Sequence, residues 1–144
     1  MKEVRSEIEI QAPSERVWQI LADFDNWSEW NPFLYQASGT AALGEQVDIT
    51  FQGPGSKETS LRCTIQTLSQ GRNWMWNFHA ISPFLFRGEH SFAIEPIEGN
   101  RVRFVQREVF KGLLVPFLVK EAETLRGYKA MDGALKARAE QASG

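Results

Sequence analysis

Residues Ala12 to Phe33 read APSERVWQILADFDNWSEWNPF, and this segment constrains the fold more than any other part of the chain. Its apolar residues recur at the i, i+3, i+4 and i+7 positions that share one helix face. These residues are Val17, Ile20, Leu21 and Phe24. The spacing predicts a short amphipathic helix that follows directly after a first strand.

The same segment predicts a second short helix. Asn26 offers an N-cap, and Glu29, three residues later, is its capping-box partner. Asn31-Pro32 ends this helix, because the residue before a proline avoids the α region. We therefore expect two short helices near the beginning of the chain, with strands on both sides of them.

Alternation of apolar and polar residues predicts the strands. The first covers Val4 to Ile10, and a short one is expected within Leu34 to Gly39. The later strands carry the residues of one face at alternate positions: Val47, Ile49 and Phe51; Leu61, Cys63 and Ile65; Trp74, Trp76 and Phe78; His90, Phe92 and Ile94; and Val102, Phe104, Gln106, Glu108 and Phe110. Turns are predicted at Gly53-Pro54-Gly55, Gly71-Arg72-Asn73 and Glu98-Gly99-Asn100.

A long C-terminal helix is predicted after the last strand. Pro116 suits its first turn, and we expect the chain after Ala139 to fray. Gly127 and Gly133 each cost about 1 kcal/mol relative to alanine in a helix. Gly127 either leaves room for a ligand or permits close packing of the helix on the sheet. The residues predicted to form its apolar face are Leu114, Phe117, Leu118, Leu125, Tyr128, Met131 and Leu135.

Short turns between strands predict an antiparallel sheet. Most strands have one polar face, and a single long helix is available to cover the other face. Helices on one side of an antiparallel sheet define the α+β class, and the sheet must curve strongly to wrap one helix. At 144 residues, the chain is expected to form one domain that spans residues 1–144.

Composition and charge exclude several classes of function. A net charge of −2, with Lys and Arg scattered along the chain, argues against a nucleic-acid partner. The single cysteine, Cys63, allows no intrachain disulfide and favours a reducing compartment. We expect a cytoplasmic protein without a signal peptide, without a transmembrane helix and without stable membrane insertion.

The order of elements and several motifs resemble the START-like superfamily, also called SRPBCC, with its helix-grip fold. The nearest match is its polyketide cyclase/dehydrase and lipid transport branch, and the resemblance covers essentially the whole chain. It implies a seven-stranded curved antiparallel sheet around the C-terminal helix, with two short helices after the first strand, and a deep cavity between sheet and helix. The motifs that carry it are Ala12-Pro13, Val17-Trp18, Leu21-Ala22-Asp23-Phe24, Trp30-Asn31-Pro32-Phe33, Gly39, Trp74 to Phe78, Gly88-Glu89-His90 and Gly112-Leu113.

Three polar residues share the inward face with apolar residues: His90, Gln106 and Glu108. A hairpin turn at Gly99 pairs His90 with Glu108, or with Gln106 if the register shifts by two, so the three side chains converge in either case. One interpretation makes Glu108 or His90 a general acid or base, with Gln106 orienting a carbonyl oxygen. The other is a satisfied polar pair that sets the register, or a face inverted by a bulge at Gly88.

The resemblance and the inward face together predict the residues that would line a cavity. Aromatic residues at strand spacing are also typical of a filled core, and that alternative stays open. The predicted ligand-binding residues are Trp30, Phe33, Phe51, Trp76, Phe78, His90, Phe92, Phe104, Gln106, Glu108, Leu118, Leu125 and Tyr128. No metal is expected, because two histidines and one cysteine lack metal-ligand spacing, and no nucleotide-binding signature or other cofactor is implied.

Two apolar loops are expected near one end of the fold, at Ile81 to Phe86 and at Leu113 to Leu118. They are interpreted as packing on each other, as a gate, as a membrane contact or as a homodimer patch. Three hypotheses on function follow from the sequence. The first is a carrier or sensor of a small hydrophobic or aromatic molecule, the second is a cyclase/dehydratase-type enzyme, and the third is a protein-interaction module.

Overall fold

The chain forms one seven-stranded antiparallel sheet that curls around a long C-terminal helix, as predicted. The structure is a computed structural model that describes residues 1–52 and 57–141. The strands lie in the order β1-β7-β6-β5-β4-β3-β2. The elements are β1 (Lys2–Ile10), α1 (Ser14–Leu21), a 3₁₀ helix (Phe24–Glu29), β2 (Gln36–Ser38), β3 (Gln46–Gln52), β4 (Glu58–Ser69), β5 (Asn73–His79), β6 (Arg87–Ile97), β7 (Arg101–Lys111), α2 (Val115–Leu118) and α3 (Glu121–Glu140).

The predicted alternation sets the inner face of the sheet. Alternate residues of β5, β6 and β7 are buried under α3 and the first two helices. The turn after β6 is a three-residue loop in which Gly99 and Asn100 have φ of 75° and 59°, in the left-handed region. This loop fixes the register that pairs His90 with Glu108 and Phe92 with Gln106.

The bulge at Gly88, one of the alternatives that the sequence left open, is absent. The strand register is regular from Phe78 through Gly88 to Phe110, so the inner face is not inverted there. The sheet is instead irregular in β4, where the register shifts between Ile65 and Thr67. Gly88 serves close packing, because a Cβ built on it would lie 2.5 Å from Cζ of Phe78.

The second short helix begins earlier than the sequence predicts. Asn26 lies inside the 3₁₀ helix, whose N-cap is Asp23, and it donates a hydrogen bond from Nδ2 to Oδ2 of Asp23 at 2.6 Å. The capping box with Glu29 is therefore wrong. The predicted end is correct, because Oδ1 of Asn31 accepts hydrogen bonds from the backbone N–H groups of Phe33 and Leu34, which turn the chain away.

The C-terminal helix also differs from the prediction at its beginning. Pro116 lies in the separate four-residue helix α2, and α3 begins only at Glu121. Phe117, assigned to the apolar face, is exposed. Helix α3 continues to Glu140, one residue beyond the expected fraying point, and the rest of that tail, like the predicted Gly53-Pro54-Gly55 turn, lies outside the described residues.

Candidate ligand-binding site

His90, Gln106 and Glu108 converge inside the curled sheet, as their positions on neighbouring strands predict. Nε2 of His90 lies 3.0 Å from Oε1 of Gln106. Nδ1 of His90 lies 3.5 Å from Oε1 of Glu108. All three side chains are buried. The imidazole is also stacked between the rings of Phe92 and Tyr128, with centroid distances of 4.1 and 5.1 Å, so its plane is held from both sides.

Helix α3 supplies two further members of this polar cluster, Tyr128 and Asp132. The hydroxyl of Tyr128 donates a hydrogen bond to Oε1 of Glu108. Nε2 of Gln106 donates to Oδ1 of Asp132 at 2.7 Å and to the backbone oxygen of Tyr128 at 3.4 Å. Sequence reasoning missed Asp132. The signal for it was a carboxylate four residues after Tyr128, on the helix face that also carries Met131 and Leu135.

The hydrogen bonds assign a role to each ring nitrogen of His90. The backbone oxygen of Tyr128 only accepts, so the amide nitrogen of Gln106 points toward it and toward Oδ1 of Asp132, and the amide oxygen is turned toward the imidazole. That oxygen also only accepts, so Nε2 of His90 carries the hydrogen. The lone pair of Nδ1 is then left facing Oε1 of Glu108.

Burial keeps the pair of His90 and Glu108 uncharged over a range of pH. Desolvation raises the pKa of Glu108 to about 7, although the hydrogen bond from Tyr128 opposes the increase. Desolvation lowers the pKa of His90 to about 3 against the effect of Gln106. Burial, with the neighbouring Glu108 carboxyl, raises the pKa of Tyr128 well above its usual value, so its hydroxyl stays a donor. A neutral carboxyl beside a neutral imidazole can both give and accept a proton.

A cavity of about 280 Å³ opens above this cluster, near the lower end of the range of about 300–1,000 Å³ typical of ligand pockets. His90 and Glu108 lie on its wall, and we call this part of the wall the floor. Lys120, Glu123 and Thr124 contribute polar groups from the beginning of α3 and the residue before it. The remaining lining is mostly apolar: Phe33, Leu34, Ile49, Phe51, Gln52, Thr59, Leu61, Trp76, Phe78, Ala80, Phe86, Phe110, Leu118 and Val119.

The structure places seven of the thirteen predicted binding residues on the cavity wall: Phe33, Phe51, Trp76, Phe78, His90, Glu108 and Leu118. The other six lie elsewhere. Gln106 and Tyr128 are behind the floor, in contact with His90 and Glu108. Trp30 packs at 6.0 Å on Trp27, and Leu125 is half-buried against the core. Phe92 and Phe104 are fully buried in the core on the far side of the floor.

That far side is filled by aromatic rings. Trp74 stacks on Phe92 with a centroid distance of 4.7 Å, and Phe24 meets Trp27 edge-on at 5.2 Å. Trp18 of α1 closes on Trp74 at 5.6 Å. We call this region, built from Trp18, Phe24, Trp27, Trp74, Phe92 and Phe104, the solid half. The region around the cavity, from the floor to Phe33, Phe51, Phe78 and Phe110, is the hollow half.

The space beside Gly127 in the hollow half is occupied by the side chain of Phe33. A Cβ built on it would lie 2.5 Å from Cδ1 of Phe33. The Phe33 ring therefore rests directly on helix α3, with its centroid 5.5 Å from that of Tyr128. The structure therefore shows close packing at this glycine, but against the loop residue Phe33 and not against the sheet, as the second interpretation had it.

Within residues 1–52 and 57–141, no three His, Cys, Asp or Glu side chains are grouped as ligands of a metal ion would be. Over the same residues, every helix is too short or too polar to cross a lipid bilayer. The raised pKa of Glu108, about 7, keeps the floor of the cavity uncharged at pH values below that, and Lys120 and Glu123 supply one group of each charge elsewhere on the lining. Its chemistry is that of an apolar pocket with a few polar groups.

Comparison with known proteins agrees with the fold. The family model described as polyketide cyclase / dehydrase and lipid transport matches residues 1–140. Proteins of curated function give no significant match. Among solved structures, the Zhui aromatase/cyclase from Streptomyces sp. R1128 is 18% identical with a TM-score of 0.76, covering 99% of this chain and 98% of that one.

Two other solved structures are similar over almost their whole length. A START superfamily protein from Mycobacterium smegmatis is 16% identical with a TM-score of 0.72, covering 96% of this chain and 97% of that one. The Aha1 dimer from Colwellia psychrerythraea is 19% identical with a TM-score of 0.70, covering 100% of both chains. These likenesses, at such low identity, establish the fold.

Proposed function

This chain belongs to the polyketide cyclase / dehydrase and lipid transport family, and from that premise we propose that it binds a small apolar or aromatic molecule and acts as its carrier or sensor. The observation that carries the proposal is the cavity of the hollow half. Its wall is apolar except for a few groups, and its floor offers the hydrogen-bonding pair His90 and Glu108. Pockets of this composition orient a ligand by few polar contacts.

The floor favours a ligand whose buried end is polar but uncharged. A carboxylate group on the ligand would lie beside Glu108 and would lose its hydration without gaining a cation there. A hydroxyl or carbonyl group on the ligand could instead form hydrogen bonds with His90 and Glu108, which lie side by side on the floor. Trp76 also lines the cavity and adds apolar ring surface to its wall, while its indole N–H is buried away from the cavity.

Binding is tested by native mass spectrometry of gently purified protein and by displacement of a fluorescent apolar dye. Thr59→Trp places an indole on the cavity wall and is expected to abolish dye binding. Thr64→Trp is the matched control, because Thr64 lies on the same strand β4 but faces away from the cavity. Absence of any bound species, and equal dye binding in the two variants, would count against a carrier or sensor.

One observation favours an enzyme as a second candidate function. A carboxyl whose pKa is raised to about 7 lies 3.5 Å from a neutral imidazole on the floor of a ligand-sized cavity. Such a pair suits removal of a proton α to a carbonyl, followed by loss of a β-hydroxyl as water with formation of a C=C bond. Glu108 in its ionised form would take the α-proton, and the protonated carboxyl would then give that proton to the leaving hydroxyl, so the substrate loses one water and Glu108 is ionised again.

The enzyme alternative is tested with a β-hydroxy ketone that carries a phenyl ring, because dehydration gives a conjugated enone with a strong ultraviolet band. Glu108→Gln keeps the shape of the floor and removes the base, so turnover is expected to cease while dye binding persists. Turnover that survives both in Glu108→Gln and in His90→Ala would exclude this mechanism. Binding without any turnover in the wild type would leave the carrier or sensor function.

A further inference from the structure

An exposed apolar patch lies on the two loops at the mouth of the cavity. Ile81, Phe84, Leu113 and Phe117 are 77%, 69%, 61% and 75% exposed. Among the described residues, only Met1 and Leu43 are large apolar side chains of comparable exposure. We call these four residues the end patch. Scattered exposed apolar residues need no explanation, but four on adjoining loops mark an interaction site.

The two loops are joined by backbone hydrogen bonds, so the end patch is one surface. The N–H of Leu114 donates to the oxygen of Leu85 at 2.9 Å, and that of Leu113 donates to the oxygen of Phe84 at 3.4 Å. Phe86 and Leu118, from the same loops, turn inward and line the cavity. The end patch therefore lies on the outer side of two segments whose inner side lines part of the cavity.

The backbone at Ile81 is in a strained conformation that leaves its side chain exposed. Its φ is 69°, in the left-handed region, and the N–H of Ser82 bonds to the oxygen of Ala80 at 2.8 Å across it. This is a classic-type γ-turn, which is strained, and a β-branched residue is especially unfavourable there. A strained backbone at an exposed apolar residue is the kind of feature that accompanies function.

Cations flank the end patch. Arg87 and Lys111 are direct cross-strand neighbours at the ends of β6 and β7. Their like charges repel each other, which is unfavourable unless an anion lies nearby. Lys120 follows α2, and Lys2 reaches the same region by donating to the backbone oxygen of Val119 at 3.4 Å. Segments 80–88 and 109–120 contain no Asp or Glu, although the whole chain has a net charge of −2.

We propose that the end patch docks on the surface of an anionic lipid bilayer, with its apolar side chains in the interface and the flanking cations on the lipid headgroups. Phe, Leu and Ile enter the boundary between headgroups and acyl chains, and each nearby Lys or Arg adds attraction to anionic lipid. A second copy of this chain is a poorer occupant, because a self-complementary contact would bring the two sets of cations together. Docking would bring the mouth of the cavity to the bilayer.

The proposal is tested by co-sedimentation with vesicles of phosphatidylcholine alone and of phosphatidylcholine mixed with phosphatidylglycerol. The wild type is expected to sediment with the mixed vesicles and to dissociate as salt is added. The double variant Phe84→Ser/Phe117→Ser is expected to bind more weakly, about tenfold for each ring removed. Arg87→Gln/Lys111→Gln is expected to bind roughly fivefold more weakly per cation removed.

Leu43→Ser is the matched control, since Leu43 is 66% exposed on a different loop, and it is expected to sediment like the wild type. Dye binding in the cavity is measured in parallel, so failure of docking and failure of ligand binding are read separately. No sedimentation with mixed vesicles, or equal sedimentation of the Phe84→Ser/Phe117→Ser variant, would overturn the proposal. So would a dimer in light scattering that this variant abolishes, because a second copy would then occupy the patch.

Discussion

The solid and hollow halves are built on the same strands, and the element that covers them makes the difference. Over Trp74 and Phe92, helix α1 and the 3₁₀ helix insert Trp18, Phe24 and Trp27. Over the cavity, the covering segment runs through α2 and the first turn of α3, which present Leu118 and the polar Glu123 and Thr124. The concave side of a curved sheet is filled only where the elements above it carry bulky side chains, and here only one end of the sheet has them.

The boundary between the halves is polar. Gln106 and Asp132 lie behind the floor, and His90 and Glu108 lie on it. A buried polar cluster is costly unless each member has partners, and these four and Tyr128 supply partners to one another. The comparison of the halves therefore predicts that stability resides in one half and ligand binding in the other.

The largest expected effect contrasts a phenylalanine from each half. Phe92→Ala removes a fully buried ring of the solid half and is expected to lower the free energy of unfolding by about 3–5 kcal/mol. Phe51→Ala removes a half-buried ring that lines the cavity, and its cost is expected to be nearer about 1 kcal/mol. Urea denaturation measures both. Equal losses would mean that the two halves do not differ in packing.

The second effect concerns the pH dependence of stability. The pKa of Glu108 rises from 4.5 in the unfolded state to about 7 in the folded state. Taken alone, this group makes the folded protein less stable as the pH increases through that range. The pKa of His90 falls from 6.5 in the unfolded state to about 3 in the folded state. Taken alone, this group makes the folded protein less stable as the pH decreases through that range. Between about pH 4.5 and 6.5 the folded state moves one proton from histidine to glutamate, and the two contributions cancel.

Single variants should reveal the two opposite slopes. Relative to the wild type, the stability of Glu108→Gln is expected to increase with pH, and that of His90→Gln to decrease, each by about 1.4 kcal/mol per pH unit between pH 4.5 and 6.5. Chemical denaturation at several pH values measures the slopes. Parallel curves for the two variants would show that the pair is not uncharged in the folded protein.

The third effect contrasts two glycines of α3. Gly127→Ala puts a methyl group against Phe33 and is expected to cost about 1–3 kcal/mol and to displace that ring toward the cavity. Gly133→Ala meets nothing within 4 Å and is expected to stabilise the helix by about 0.5–1 kcal/mol. Thermal unfolding and dye binding measure both variants. A Gly127→Ala protein that gains stability and still binds dye would contradict the packing described for Phe33.

The smallest effect on stability is expected from Asp132→Asn, but it should change the tautomer of His90. An asparagine can accept or donate, so only the longer contact of 3.4 Å with the backbone oxygen of Tyr128 still orients the Gln106 amide. The nitrogen-15 chemical shifts of the His90 ring are expected to report hydrogen on Nε2 in the wild type and a mixture of tautomers in the variant. Hydrogen on Nδ1 in the wild type would contradict the chain of hydrogen bonds from Asp132.

Sequence reasoning predicted most of the fold because alternation and turn chemistry act locally. The Glu98-Gly99-Asn100 turn left two registers for β6 and β7, and the structure has the one that pairs His90 with Glu108. The helix beginnings were harder, because the 3₁₀ helix follows Asp23 without any side-chain capping hydrogen bond, so no capping residue marks its first turn. Asp132 was missed because its partner, Gln106, lies 26 residues away on another element.

The division into solid and hollow halves was beyond the sequence for a related reason. Phe78 and Phe92 both lie on the inward face of neighbouring strands, and only the covering elements decide that one lines a cavity and the other fills a core. Packing of that kind depends on the tilt of α3 and on ring rotamers. Neither is encoded in a local pattern.

The most direct test of the central claim is a crystal structure of the protein soaked with a naphthol, a neutral aromatic ring system with one hydroxyl group. The account predicts the ring in the hollow half among Phe51, Phe78 and Trp76, with its hydroxyl in hydrogen-bond contact with His90 or Glu108. Naphthol absent from this cavity, with Phe33 or Phe51 turned in to fill it, would contradict the account.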